Sequence, residues 1–158
     1  MQKKWIYSFS LESKDGDASM IDLLGSKGAY LADMCKIDIP IPPGFTISTE
    51  LCHYYLEHNV FPDGFLAMLA ESVEKLNKQT NKIFGSAINP LLVSVRSGAK
   101  ISMPGMMDTI LNVGLIPKII SVVSKDPLSA SLMLDSYSRL LESYGTAIFK
   151  IDSAKFHC

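Results

Sequence analysis

The sequence lacks the features that mark several large classes of protein. It has only three cysteines in 158 residues, and none has a Cys-x-x-Cys or His/Cys ligand spacing: Cys35, Cys52 and Cys158. A disulfide framework and a structural zinc site are therefore not expected, whereas reduced thiols in a cytoplasmic protein are. The formal net charge of −1 supplies no overall field that would attract nucleic acid or anionic lipid, so neither is an expected partner.

Long apolar runs and the common catalytic signatures are missing too. No stretch approaches the ~18 apolar residues of a membrane helix, and the N-terminus has no apolar signal-peptide region. The sequence has no Gly-x-Ser-x-Gly, no His-Glu-x-x-His, no P-loop and no paired-acid signature. His53, His58 and His157 have no cysteine or acid at ligand or triad spacing, so we predict no metal ligands and no catalytic histidine.

What the sequence does have is a globular composition and clear periodicity. Hydrophobic residues make up 47% and charged residues 20%, and the mean hydropathy is +0.20, which suits one domain. The first half predicts strands over 5–9 and 45–48 and helices over 50–58 and 65–78. A further helix is predicted after Gly28, with these side chains on one face at helical spacing: Tyr30, Leu31, Met34 and Cys35.

The second half predicts two strands and two helices. The first strand, over 91–95, is almost continuously apolar, as expected when both faces are covered, and the other spans 109–113. A short helix is predicted over 116–123, and a longer one opens at Asp126-Pro127 and stops at Gly145. Its predicted core stripe comprises Leu132, Met133, Tyr137, Leu140, Leu141 and Tyr144. The mixture predicts an α+β (mixed α/β) fold.

The last residues read as the start of another element. Asp152-Ser153 is a good helix cap, and Ala154-Lys155-Phe156 fits a first helical turn. Because a single turn is not stable in water, the sequence predicts a chain that is cut off inside an element.

Arg96 is the strongest candidate for binding an anion. It ends the apolar strand and precedes Gly98, and its guanidinium offers a planar fork of donors suited to phosphate. A structural ion pair explains the same position equally well. In the loop that follows, Gly105 permits close approach of the backbone to a ligand, whereas Met103 is equally typical of flexible core filler. Asp108 and Thr109 would either orient a ligand or simply begin the next strand.

Lys27 is a second candidate. It lies in a Gly-Ser-Lys-Gly segment that we expect to form a loop just before a helix. A helix N-terminus carries partial positive charge and suits phosphate, and lysine would add a point charge there. Taken alone, the motif favours the plainer interpretation of a solvated lysine in a turn.

Three segments together resemble pyruvate, phosphate dikinases. The most specific runs over 94–112 and contains Ser-Val-Arg-Ser-Gly-Ala and Met-Pro-Gly-Met-Met-Asp-Thr-Ile-Leu-Asn. The other two run over 24–34 and 39–50. The resemblance implies an ATP-grasp nucleotide-binding domain, with its N-terminal subdomain over 1–115 and an incomplete helical segment over 116–158. In that family ATP and phosphate phosphorylate a histidine, giving AMP and pyrophosphate, and the phosphohistidine converts pyruvate to phosphoenolpyruvate.

The resemblance also implies roles for particular residues. Lys27 and Arg96 match the family's ATP-phosphate contacts and would be the catalytic residues. The remaining implied ATP contacts form the wall of the loop: Gly98, Met103, Gly105, Asp108 and Thr109. Mg²⁺ is expected for the whole family enzyme, but its acidic ligands lie in parts that this sequence does not contain. Those parts are the expected partners: the second half of the nucleotide domain, the phosphohistidine domain and the pyruvate barrel.

Three functional hypotheses follow. The leading one is an N-terminal ATP-binding portion of such a dikinase, incomplete and inactive alone. A second is a non-catalytic nucleotide-binding or partner-docking module, or the remnant of a broken gene. A third is an α/β scaffold without a ligand.

Overall fold

A computed structural model describes residues 3–98, 109–123 and 126–156. These residues form two compact units, one holding residues 3–80 and Gly98 and the other holding residues 81–97, 109–123 and 126–156. Both mix helix and strand, which confirms the α+β class. The division into a 1–115 subdomain and a 116–158 segment concerns family domains rather than compact units, and it stays a prediction.

The first unit is a two-stranded antiparallel sheet with three helices. β1 (Ile6–Phe9) pairs with β2 (Gly44–Ile47), and α1 (Ile21–Lys36), α2 (Thr49–His58) and α3 (Phe65–Thr80) pack around them. The hydrophobic core is made by side chains from the strands, α2 and α3: Trp5, Ile6, Leu51 and Phe65, with Phe45, Tyr54, Met68 and Leu69 against them. The strands predicted over 5–9 and 45–48 and the helices predicted over 50–58 and 65–78 are therefore confirmed, whereas the helix predicted after Gly28 starts earlier, at Ile21.

Ser48 takes the N-cap position of α2 but does not cap the helix with its side chain. Its hydroxyl is buried and has no hydrogen-bond partner among the described residues. The neighbouring Thr49 hydroxyl donates instead to the Asp22 carbonyl at 2.6 Å, which ties the start of α2 to the start of α1.

After its glycine segment, α1 buries mainly small side chains. Tyr30 and Met34 are exposed, whereas the buried side chains after the glycine segment are Ala29, Ala32 and Cys35. Leu31 is half-buried, so the face predicted for Tyr30, Leu31, Met34 and Cys35 is covered only in part. Burial also raises the pKa of the Cys35 thiol and keeps it protonated.

The second unit contains two small sheets and two helices. β3 (Ile83–Phe84) pairs in parallel with β4 (Pro90–Leu91), and β5 (Val93–Arg96) pairs antiparallel with β6 (Thr109–Val113). The predicted single strand over 91–95 is thus two strands with different partners, separated at Leu92. α4 (Pro117–Val123) and α5 (Pro127–Phe149) follow as predicted, and α5 packs against β6.

α5 does not end at Gly145, as the sequence predicts. It continues to Phe149 and stops where Lys150 adopts the left-handed conformation, with φ of 56°. The backbone N–H of Ile151 then donates to the Gly145 carbonyl at 3.2 Å, which closes the helix end. Gly145 is instead a packing position, since a Cβ there would lie 2.7 Å from Phe156 Cζ. Phe156 belongs to the predicted helical turn, which is a 3₁₀ turn over Ser153–Phe156.

The core stripe predicted for α5 is covered only in part. Met133, Tyr137 and Leu140 are half-buried, whereas Leu132, Leu141 and Tyr144 are exposed. Of the helices in the described ranges, none is long and apolar enough to cross a bilayer.

Candidate functional site

Lys27 lies inside α1 rather than in a loop before it. The helix is interrupted at Gly25, whose φ of 68° and ψ of 163° lie outside the helical region. Glycine adopts such a φ without the strain that a Cβ would cause. The helix resumes after Gly25 and continues to Lys36, so Lys27 occupies the first turn of this longer segment, at the end where the helix dipole is positive.

Gly28 fixes how closely this turn approaches the sheet. A Cβ at Gly28 would lie 2.8 Å from both Cγ2 and Oγ1 of Thr46 in β2, which is closer than such atoms pack. The glycine therefore lets the Lys27 turn lie directly on β2. Two glycines three residues apart, flanking Ser26 and Lys27, are the sequence signal for this arrangement, and neither Gly25 nor Gly28 was among the predicted site residues.

Gly98 is another predicted site residue among the described residues of the first unit. A Cβ at Gly98 would lie 3.7 Å from the Leu24 carbonyl oxygen and 3.8 Å from Gly25 Cα. The Gly98 backbone is therefore a close neighbour of the helix interruption that precedes Lys27. The structure thus places Gly98 beside the helix interruption that lies two residues before Lys27, although Gly98 and Lys27 are 71 positions apart in the sequence.

Arg96 is the last residue of β5 and lies opposite Thr109, the first residue of β6. Directly opposed residues in an antiparallel pair have neighbouring side chains on the same face. The structure therefore places a guanidinium beside a hydroxyl, both able to donate hydrogen bonds to an anion. Arg96 is exposed and Thr109 is half-buried.

The prediction that the strand over 91–95 is covered on both faces is wrong. Ser94, Val95 and Arg96 are all exposed, and Val95 keeps 49% of its surface accessible. Within the described residues β5 pairs only with β6, and a two-stranded sheet lacks the covering layers that bury both faces of a central strand in a large parallel sheet. An exposed Arg96 has no desolvation cost to offset, so its position in the fold does not by itself require an anionic partner.

The other predicted site residues lie outside the described residues: Met103, Gly105 and Asp108. Among the residues that are described, no group of three or more histidine, cysteine, aspartate or glutamate side chains is arranged to hold a metal ion. The described part of the chain therefore does not fit a Mg²⁺ site by itself.

Comparisons with known proteins show similarity to one family. Residues 21–86 match the family described as pyruvate phosphate dikinase, AMP/ATP-binding domain. Pyruvate, phosphate dikinase of Rickettsia bellii is 51% identical over 155 residues, which is 98% of this chain and 18% of that protein. The same enzyme of Rhizobium meliloti is 42% identical, and that of Clostridium symbiosum is 40% identical, each over 97% of this chain and 17% of the relative. The chain thus spans under a fifth of the length of these curated relatives.

Proposed function

We propose that this chain, which corresponds to the N-terminal part of the pyruvate, phosphate dikinase AMP/ATP-binding domain, forms part of an ATP-grasp site for the phosphates of ATP. In the proposal Lys27 and Arg96 each direct one positive charge at the phosphates. Gly98 and Thr109 line the same site, together with Met103, Gly105 and Asp108.

The observation that carries the proposal is the local geometry at Lys27. Its side chain leaves the first turn of a helical segment, where the helix dipole adds to the lysine charge. Gly25 and Gly98 lie near this turn and bear no side chains. A Cβ at Gly98 would lie 3.8 Å from Gly25 Cα, so the two backbones are close neighbours. This combination of a cation and a helix start favours an anion such as a phosphate group.

Arg96 supports the proposal through its register. Its position opposite Thr109 provides a guanidinium fork and a hydroxyl at one sheet end. Arginine presents paired N–H donors that match two phosphate oxygens, and the bond is charge-assisted. Exposure of Arg96 leaves it accessible to a ligand.

The chemistry suited to these residues is stabilisation of phosphate charge. In phosphoryl transfer the protein acts mainly by positioning the phosphates and by neutralising charge that spreads over their oxygens. The proposed whole reaction converts ATP, phosphate and pyruvate to AMP, pyrophosphate and phosphoenolpyruvate through a phosphohistidine. Mg²⁺ would neutralise further phosphate charge, but the described residues provide no cluster of ligands for it, so no step for this chain depends on it.

The proposed partners are the other parts of such an enzyme: the second half of the nucleotide domain, the phosphohistidine domain and the pyruvate barrel. The proposed location is the cytoplasm. The partner-docking module remains the second candidate, because α5 exposes large apolar side chains that the described chain leaves uncovered.

Isothermal titration calorimetry with ATP tests the proposal. We expect micromolar affinity for the unaltered chain. Lys27→Ala and Arg96→Ala should each weaken binding by tenfold or more, which corresponds to about 1.4 kcal/mol, because each removes a charge-assisted contact.

The matched control is Lys78→Ala, which removes an exposed lysine from α3 and should change the affinity less than twofold. Circular dichroism verifies that each variant keeps its helices. Unchanged affinity in both Lys27→Ala and Arg96→Ala, or no ATP binding by the unaltered chain, would contradict the proposal.

A further inference from the structure

The longest helix of the chain leaves most of its apolar surface uncovered. α5 has 23 residues, yet Gly145 is its only residue that is fully buried in the described structure. Leu134, Leu141 and Ile148 are 54%, 47% and 55% exposed. An isolated exposed leucine is ordinary, whereas a contiguous apolar strip usually marks an interaction surface.

These three side chains lie in one line along the helix. They recur every seven residues, which is close to two turns and keeps them on one face. The exposed Tyr144 flanks the same line. We call Leu134, Leu141, Tyr144 and Ile148 the α5 stripe. It extends for about 21 Å at about 1.5 Å per residue, which suits contact with a helix or strand better than with a single loop.

The charged residues of α5 lie on another face. Asp135, Arg139 and Glu142 recur at helical spacing, and Arg139 Nε donates to Asp135 Oδ2 at 2.9 Å. The helix is therefore amphipathic, and the α5 stripe contains no side chain charged at neutral pH. α5 packs against β6, and Met133, Tyr137 and Leu140 of α5 are half-buried. This arrangement favours an apolar protein partner over a charged ligand.

We propose that the α5 stripe is the docking surface for the remainder of a dikinase polypeptide, which would cover it with an uncharged apolar face. The argument for this occupant is length: the chain matches the relatives over 97–98% of itself but over only 17–18% of them. A large part of the relatives' polypeptide is therefore available to cover the stripe. The inference rests on the proposed partners, but it does not depend on ATP binding.

Hydrogen–deuterium exchange tests the surface without nucleotide. This chain is compared alone and as a chimera in which it replaces the matched segment of the Rickettsia bellii dikinase. Amides of α5 should exchange at least tenfold more slowly in the chimera, because covering the stripe suppresses local opening of the helix. Leu141→Gln should remove that protection in the chimera but change exchange less than twofold in the isolated chain, where Leu141 is already exposed.

Leu132→Gln is the matched control, since Leu132 is 57% exposed but lies on a different face of α5. It should leave exchange unchanged in both proteins. Equal exchange of α5 in the chimera and the isolated chain overturns the proposal, as does an equal effect of the two substitutions. Association of the isolated chain into dimers that Leu141→Gln dissociates also overturns it in favour of a second copy.

If the chimera does not fold, the same surface is tested with two separate polypeptides. The isolated chain is mixed with the Rickettsia bellii dikinase lacking its matched segment, and association is measured by analytical ultracentrifugation. Binding that Leu141→Gln weakens tenfold or more supports the surface, and no binding overturns it. ATP calorimetry on the isolated chain is independent, so failure of the phosphate site and failure of the docking surface give different results.

Discussion

Gly28 shows how one absent side chain determines the packing of a helix on a sheet. The intrinsic preference for helix would favour alanine over glycine at this position by about 1 kcal/mol. The position of Thr46 opposes that preference, because a Cβ would lie 2.8 Å from two of its atoms. Rotation of Thr46 about χ1 would still leave one of the two heavy-atom positions near Gly28 occupied.

We therefore expect Gly28→Ala to lower the free energy of unfolding by about 1–3 kcal/mol, the usual cost of overpacking. Urea denaturation followed by circular dichroism measures it. The double variant Gly28→Ala/Thr46→Ala should recover part of the loss, relative to Thr46→Ala alone, because it removes both crowding atoms. A stabilised Gly28→Ala variant would mean that helix propensity outweighs the contact.

Among the elements, α5 begins with a side-chain N-cap at Asp126. This cap stabilises the start of a helix whose sides are largely exposed. Asp126 accepts hydrogen bonds from the backbone N–H groups of Leu128 and Ser129, each at 3.0 Å, and from the Ser129 hydroxyl at 2.6 Å. The Ser129 hydroxyl bond is the largest of the effects that hold the pKa of Asp126 below its ordinary value. Because the folded pKa is lowered, the cap stabilises the fold above about pH 3.9 and is lost as pH falls through the folded pKa.

Asp126→Ala should accordingly lower the melting temperature at pH 7 by about 2–4 °C, as expected for loss of one helix cap in a chain of this length. The difference between Asp126→Ala and the unaltered chain should shrink as pH approaches 2. Asp126→Asn keeps an oxygen acceptor without an ionisable group, so its cap should not titrate over this range. Differential scanning calorimetry at several pH values measures all three proteins, and a constant difference between Asp126→Ala and the unaltered chain would refute the ionised cap.

At the scale of the whole molecule, this chain matches only a small share of the length of its relatives. The chain matches 18% of the length of the Rickettsia bellii dikinase and provides no metal-binding cluster within its described residues. ATP binding and complete turnover are therefore separate properties. The proposed phosphate contacts require Lys27 and Arg96, whereas transfer of a phosphoryl group to histidine and pyruvate would require the proposed partner domains.

We expect the isolated chain to show no ATP/AMP exchange above background in the presence of phosphate and Mg²⁺. The chimera with the Rickettsia bellii dikinase serves as the comparison, and exchange there should fall at least tenfold in Lys27→Ala, because a phosphate contact is lost. Incorporation of radiolabelled AMP into ATP measures both. Robust exchange by the isolated chain would show that the second half of the nucleotide domain is dispensable.

Local patterns predicted most of the elements but not their environments. The helices over Thr49–His58 and Phe65–Thr80 and the strand over Thr109–Val113 follow from periodicity and from the proline and glycine positions around them. Their burial does not follow, since the pattern that predicts a covered strand at Val95 takes no account of whether a neighbouring strand is present. The resemblance singled out Lys27 and Arg96, yet neither residue has the surroundings that the sequence predicts.

The sequence by itself determined the order and kind of the elements and the similarity to pyruvate, phosphate dikinases, because both depend on residues close together along the chain. Tertiary structure alone decided that Gly98 lies against Gly25, that Gly145 accommodates Phe156 instead of ending α5, and that Arg96 is exposed. Such outcomes depend on contacts between distant residues and on the space left between packed elements. No single segment of sequence contains that information.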